Sequence, residues 1–165
     1  MKKSLSAGCF ADEKTSTVCA EPILVTAALR SLLLNCDGKF RSKIGIAPEI
    51  ARPVAGSYDF EKNILTITQF EVDKNGSYVN SKWEMQRDPY KGDAVNAYND
   101  GPLADGTQMG PFYEIESSSP ARPLKPGESQ VYKQSTFHFE GDFAKLEILA
   151  KQILGISLSD VKALK

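Results

Sequence analysis

Ile64-Leu65-Thr66-Ile67-Thr68-Gln69-Phe70-Glu71 is the stretch that decides the fold class. A period of two puts Ile64, Thr66, Thr68 and Phe70 on one face and Leu65, Ile67 and Gln69 on the other. The residues are mostly β-branched or aromatic, so the stretch reads as a strand with apolar groups on both faces. Val54 to Phe60 precedes it as a second strand, and Glu61-Lys62-Asn63 closes the two into a hairpin. A strand whose neighbour is one short turn away pairs antiparallel.

Working outward, the same punctuation recurs. Downstream, Asp73 to Ser77 is a turn, Tyr78 to Arg87 a strand around Trp83, and Ala94 to Tyr98 a short strand after Pro89 and Gly92. Asn99 to Gly110 is the longest run rich in Asn, Asp, Gly and Pro; a loop of that length in a compact domain often carries function. Phe112 to Ser118 is a strand, Pro120 to Gly127 a proline-rich connection, and Gln130 to Phe139 a long strand. Upstream, Ile23 to Leu34 suits a strand or a short helix, and both readings stay open. Asn35-Cys36-Asp37-Gly38 reads as a tight turn, with Phe40 to Ile46 as its return strand. Residues 1–22 show no period. They are therefore expected to be a loosely held lead-in.

Past Gly141 the period changes to 3.6. Phe143, Leu146, Leu149, Ala150 and Ile153 recur at helical spacing, opposite Lys145, Glu147 and Lys151. Asp142 is placed as N-cap and Gly155 as C-cap. Ser157 with Asp160 has the spacing of a capping box opening one last turn. The pattern predicts a helix over 142–154 lying on a sheet. Many strands joined by turns and ending in a helix predict a mostly β protein: an antiparallel β-sandwich with a C-terminal helix.

Charge excludes some functions. The 165 residues carry 20 basic and 21 acidic side chains, a net charge of −1. With no basic excess to neutralise phosphates, no nucleic-acid partner is expected. No apolar run approaches the roughly 20 residues of a membrane helix, so no membrane insertion is expected. Lys2-Lys3 is followed by Asp12, Glu13 and Lys14 rather than an apolar run, so no cleavable signal is expected. Cys9, Cys19 and Cys36 show no CxxC spacing and read as plain thiols. There is no Walker loop, GxGxxG, GxSxG or HExxH, so no cofactor is expected.

Glu114 and Glu116 alternate with Tyr113 and Ile115, so the two carboxylates share a face with Cα atoms about 7 Å apart. Like charges that close push one pKa up, which suits acid–base work; a solvated outer face gives the same pattern. His138, the sole histidine, points away from Phe137 and Phe139. It suits a hydrogen-bonded structural role, or a proton donor. Asp93, Asn96, Tyr98, Asn99, Asp100 and Asp105 could offer oxygens to calcium but are also ordinary turn formers, and no metal is expected. Trp83, Tyr78, Tyr98, Phe112 and Tyr113 suit either core positions or sugar-stacking platforms.

Four segments carry a resemblance. They are Gly38-Lys39-Phe40-Arg41-Ser42-Lys43-Ile44-Gly45, Tyr98-Asn99-Asp100-Gly101-Pro102, Gly110-Pro111-Phe112-Tyr113-Glu114-Ile115-Glu116-Ser117-Ser118-Ser119-Pro120-Ala121, and Thr136-Phe137-His138-Phe139. Through them Asp37 to Ile156 resembles the C-terminal half of an uncharacterised, typically exported bacterial family, itself similar to the galactose-mutarotase-like β-supersandwich superfamily. Residues 1–36 do not match, so the resemblance divides the chain into a poorly matched lead-in, 1–36, and a domain, 37–165. It implies large antiparallel sheets and a saccharide ligand on a concave face. It implies a glutamate base, which Glu114 matches by its order between Gly110 and Pro120. The mutarotase proline comes a residue earlier, and the Asp-Ala-x-Asn after it is absent here. The acid histidine of mutarotases has no counterpart, since His138 follows the glutamate. The expectation is carbohydrate binding without efficient catalysis, with Glu116, Asn99, Asp100, His138 and Trp83 around Glu114. The alternative is a non-catalytic module that self-associates or pairs with another chain.

Overall fold

The computed structural model describes residues 22–27, 31–81 and 85–164, and for 22–27 the backbone only. Among the described residues eight strands precede the helices. They are β1 (Pro22–Ala27), β2 (Ser31–Asn35), β3 (Ser42–Ile46), β4 (Ala51–Asp59), β5 (Ile64–Phe70), β6 (Val95–Asn99), β7 (Tyr113–Ser117) and β8 (Gln134–Glu140). They form two sheets, a five-stranded one in the order β2-β1-β4-β5-β8 and a three-stranded one in the order β3-β6-β7. Every pairing is antiparallel. The fold is thus mostly β, with two antiparallel sheets face to face and a helical C-terminus.

The hairpin read from the quoted stretch is β4–β5, in register from Val54↔Gln69 to Asp59↔Ile64. Asn63 takes the left-handed conformation, φ 53°, that its turn requires. β5 is buried on both faces because both are covered. Phe70 joins Ile46, Ala51, Ala55, Val95 and Ala97 in the core between the sheets, with Tyr113 and Ile115 at its margin. Leu65 and Ile67 join Val54 and Tyr58 in a second core, closed by Leu146, Ala150, Leu154 and Leu158 from the helices. The molecule therefore has three layers: small sheet, large sheet, helices.

The helical end is split. Phe143–Leu149 is an α-helix (α1), Ala150–Leu154 winds as a π-turn, and Leu158–Ala163 is a second α-helix (α2). Gly155, at φ 73°, is the left-handed cap the sequence requires, and Ser157 Oγ accepts from the Asp160 N–H. Asp142 occupies the N-cap position but makes no capping bond; its carboxylate lies 3.4 Å from Lys145 Nζ.

Four expectations are corrected. Asp37-Gly38 does not close a hairpin: β2 pairs with β1, β3 pairs with β6, and the intervening residues carry the chain from the large sheet to the small one. Ile23 to Leu34, which suits a strand or a helix, supplies β1 and β2, so residues 22–27 and 31–35 belong to the large sheet rather than to a lead-in. β4 begins at Ala51, ahead of Pro53. Proline cannot donate to a ladder, and it sits where the β1–β4 register slips between Val25 and Ala27. No strand runs through the described part of 78–87; Tyr78 makes one bridge to Lys91 and is otherwise core. Trp83, Cys9 and Cys19 lie outside the described residues.

Candidate functional site

Alternation along the small sheet sends Ile46, Val95, Ala97 and Ile115 into the core. It therefore sends Lys43 and Gly45 of β3, Asn96 and Tyr98 of β6, and Glu114 and Glu116 of β7 to the outer face. Register aligns them in two rows, Lys43–Tyr98–Glu114 and Gly45–Asn96–Glu116. The two glutamates share the face that their spacing predicts. Lys43 Nζ crosses the sheet to Glu116 Oε2 at 3.1 Å. A Cβ at Gly45 would fall on the Asp93 carboxylate, so glycine there lets that carboxylate lie over the sheet.

The carboxyls titrate apart. Burial raises Glu114 above the ordinary glutamate value, and its hydrogen bond and charge repulsion with Glu116 raise it further. Glu116 is lowered: against the upward pull of burial, hydrogen bonds with Glu114, Lys43 and the Asn96 amide hold it ionised. One group thus keeps its proton to higher pH than its neighbour, placing a donor beside an acceptor. Asn96 is 1% exposed, and its Oδ1 has no hydrogen-bond partner among the described residues. That is an unmet acceptor in the floor of this face, of a kind proteins seldom keep.

The two loop residues part: Asp100 continues the row of Asn96 and Tyr98, near enough for its charge to raise Glu114, whereas Asn99 does not. Asn99 points to the opposite side of β6. Its Nδ2 donates to Asp37 Oδ1 at 2.9 Å and to the Phe40 carbonyl at 2.8 Å, and its Oδ1 accepts from the Gly38 N–H at 3.2 Å. Asp100 is fully buried. Its Oδ1 accepts from the Tyr98 hydroxyl at 2.6 Å and from Arg41 at 3.2 Å, and its Oδ2 accepts from the Gly110 N–H at 2.9 Å. Burial would raise its pKa, but these bonds, the Gly101 N–H and the Arg41 charge bring it down to about 2. Both side chains pin the 37–41 and 100–110 segments, Asp100 buried at the end of the glutamate face and Asn99 on the opposite side.

His138 is not brought to the glutamates. It stands on β8 opposite Thr66, and its Nδ1 lies 2.9 Å from Thr66 Oγ1. That row belongs to the face of the large sheet turned towards the small one, whereas Glu114 points away from it. Of the aromatics, Tyr78 is core and accepts the Asp73 N–H at 3.0 Å. Tyr113 spans the two sheets to Ser57 at 3.0 Å. Tyr98 shares the glutamate face and packs at 6.0 Å against Phe112. An open cavity of about 430 Å³ lies elsewhere, between Glu71–Gly76 and Pro120–Tyr132, and holds none of the predicted residues.

Lys43 and Asn96 were missed as partners of the glutamates. Their period-two signal is present in Lys43/Gly45 and Asn96/Tyr98. What places them beside Glu116 is pairing between strands: Asn96 lies directly opposite Glu116 on β6, and Lys43 comes from β3, whose partners on β6 stand about 50 residues away in the chain, which no local pattern encodes.

Residues 15–165 match one family model, and the chain belongs to that family, the family of unknown function DUF6786. No curated protein and no solved structure matches the chain significantly.

Proposed function

We propose that the outer face of the three-stranded sheet binds a saccharide, with Glu114 and Glu116 as acceptors for its hydroxyls and Lys43 and Asn96 completing the site. The observation that carries this reading is the unequal carboxyl pair lying beside a buried amide oxygen without a partner. A carboxylate takes two hydroxyls as a charge-assisted acceptor, and a hydroxyl would meet the unsatisfied Asn96 Oδ1. The likeness of Glu114 to the mutarotase base supports the same face. The acid histidine that the mutarotase resemblance asks for is not supplied by His138, which is bonded to Thr66 on another face. The reading is therefore binding without appreciable mutarotation.

The test is calorimetric titration of monosaccharides and short oligosaccharides against the wild type, Glu114→Gln and Lys43→Met, with polarimetry for anomer interconversion. Loss of one charged hydrogen bond should weaken binding about tenfold in Glu114→Gln. Binding through the carboxylate should strengthen as pH rises through the raised Glu114 value, and that dependence should vanish in Glu114→Gln. Equal binding by wild type and Glu114→Gln would remove Glu114 from the site. Interconversion lost on the same substitution would make the face catalytic.

A further inference from the structure

The five-stranded sheet ends on β8, which pairs with β5 over seven unbroken register positions, Ile64↔Glu140 to Phe70↔Gln134. Among the described residues no strand pairs with its outer edge. Proteins usually blunt such an edge with a proline, a bulge, a central lysine or a very short strand. β8 reads Gln-Ser-Thr-Phe-His-Phe-Glu: it has no proline, no bulge, and no charge before its last residue. Phe137 is 42% exposed and stacks on Phe139 at 6.3 Å. Lys133 and Glu140, both exposed, flank the strand with opposite charges.

We propose that β8 is a homodimerisation edge, two copies joining antiparallel through it to make one ten-stranded sheet. The occupant is a second copy because the strand is complementary to its own reverse. Pairing about Phe137 sets that ring against its symmetry mate. It sets Thr136 opposite the other copy's His138 and Gln134 opposite its Glu140, each a hydrogen-bonding pair on one face of the joined sheet. Opposite residues in an antiparallel pair share a face, so the phenylalanines of both copies form one stripe on the helix-covered side. The contact is isologous and closes at two copies. It does not depend on the saccharide reading.

Sedimentation equilibrium of the full chain from low-micromolar to sub-millimolar concentration tests it. The wild type should dimerise. Phe137→Lys, at an exposed position, should keep the circular dichroism spectrum and raise the dimer dissociation constant about tenfold or more, by setting like charges opposite each other in place of an aromatic pair. Amides of β8 should gain hydrogen-exchange protection as concentration rises. A monomer throughout the range, a dimer indifferent to Phe137→Lys, or β8 amides whose protection does not rise with concentration would each overturn the proposal.

Discussion

Asp100 and Glu147 are buried carboxylates whose roles follow from what they accept. Asp100 is held at about 2, below its ordinary 3.8. A depressed folded-state value means that its contribution is present in full above about pH 4 and is lost as pH falls towards 2. In urea unfolding followed from neutral pH to pH 2, Asp100→Asn should lower the midpoint near neutrality, and the gap from wild type should close by the acid end. Glu147 caps α2 from a distance: its Oε2 accepts from the Leu158 N–H at 2.5 Å and the Ser159 N–H at 3.3 Å, while its Oε1 takes Ser157 Oγ and Lys151 Nζ, each at 2.8 Å. Burial pulls its pKa up, yet these bonds hold it below the ordinary value, so its contribution too fades on acidification. Glu147→Gln should lower the melting temperature at neutral pH and converge with wild type in acid. The shared face of Glu114 and Glu116 was legible, because period two is local. The duties of Asn99, Asp100 and Glu147 were not: each bonds to atoms made neighbours only by the finished fold, and each resembles an ordinary loop or helix-surface residue in the chain.

The strands and the helix were legible as elements, but their extents moved wherever long-range pairing governs them. At the C-terminus the 3.6-residue stripe predicts Leu149 and Ile153 as core, yet Leu146, Ala150 and Leu154 are the buried set. The π-turn causes this: a wider turn steps four residues onto the same face, so 146, 150 and 154 align and Leu149 and Ile153 slip to the flank. Leu154 also sits where Gly56 has no side chain; a Cβ there would meet Leu154 at 2.9 Å and the Thr66 carbonyl at 2.6 Å. Leu154→Ala should cost about 2–5 kcal/mol in chemical denaturation. Leu149→Ala, only half-buried, should cost clearly less; a reversed order would contradict the placement of the π-turn. Gly56→Ala should destabilise in spite of alanine's smaller backbone entropy, because the backbone carbonyl has no room to yield.

For the whole molecule, a mostly β sandwich with a helical end was legible, since a switch of period from 2 to 3.6 survives any topology. The membership of 22–35 was not, because its apolar run suits two conformations and only β4 decides between them. β1 lies between β2 and β4 in the large sheet, so a chain starting at Asp37 should lose near-ultraviolet dichroism and bind a hydrophobic dye, whereas one starting at Pro22 should keep its tertiary signal. The pairing of β5 with β8 has a consequence in time. Its partners stand 64 to 76 residues apart in the chain, whereas β1–β2 and β4–β5 close across a few residues. Loop closure makes the distant pairing slow. During refolding, β5 therefore waits with one edge bare and Leu65 and Ile67 uncovered while the local hairpins are already formed. Recovery of native protein after dilution from denaturant should fall as chain concentration rises, with material lost in that interval, and a peptide of the β8 sequence supplied in excess should slow the final phase by occupying the seat first.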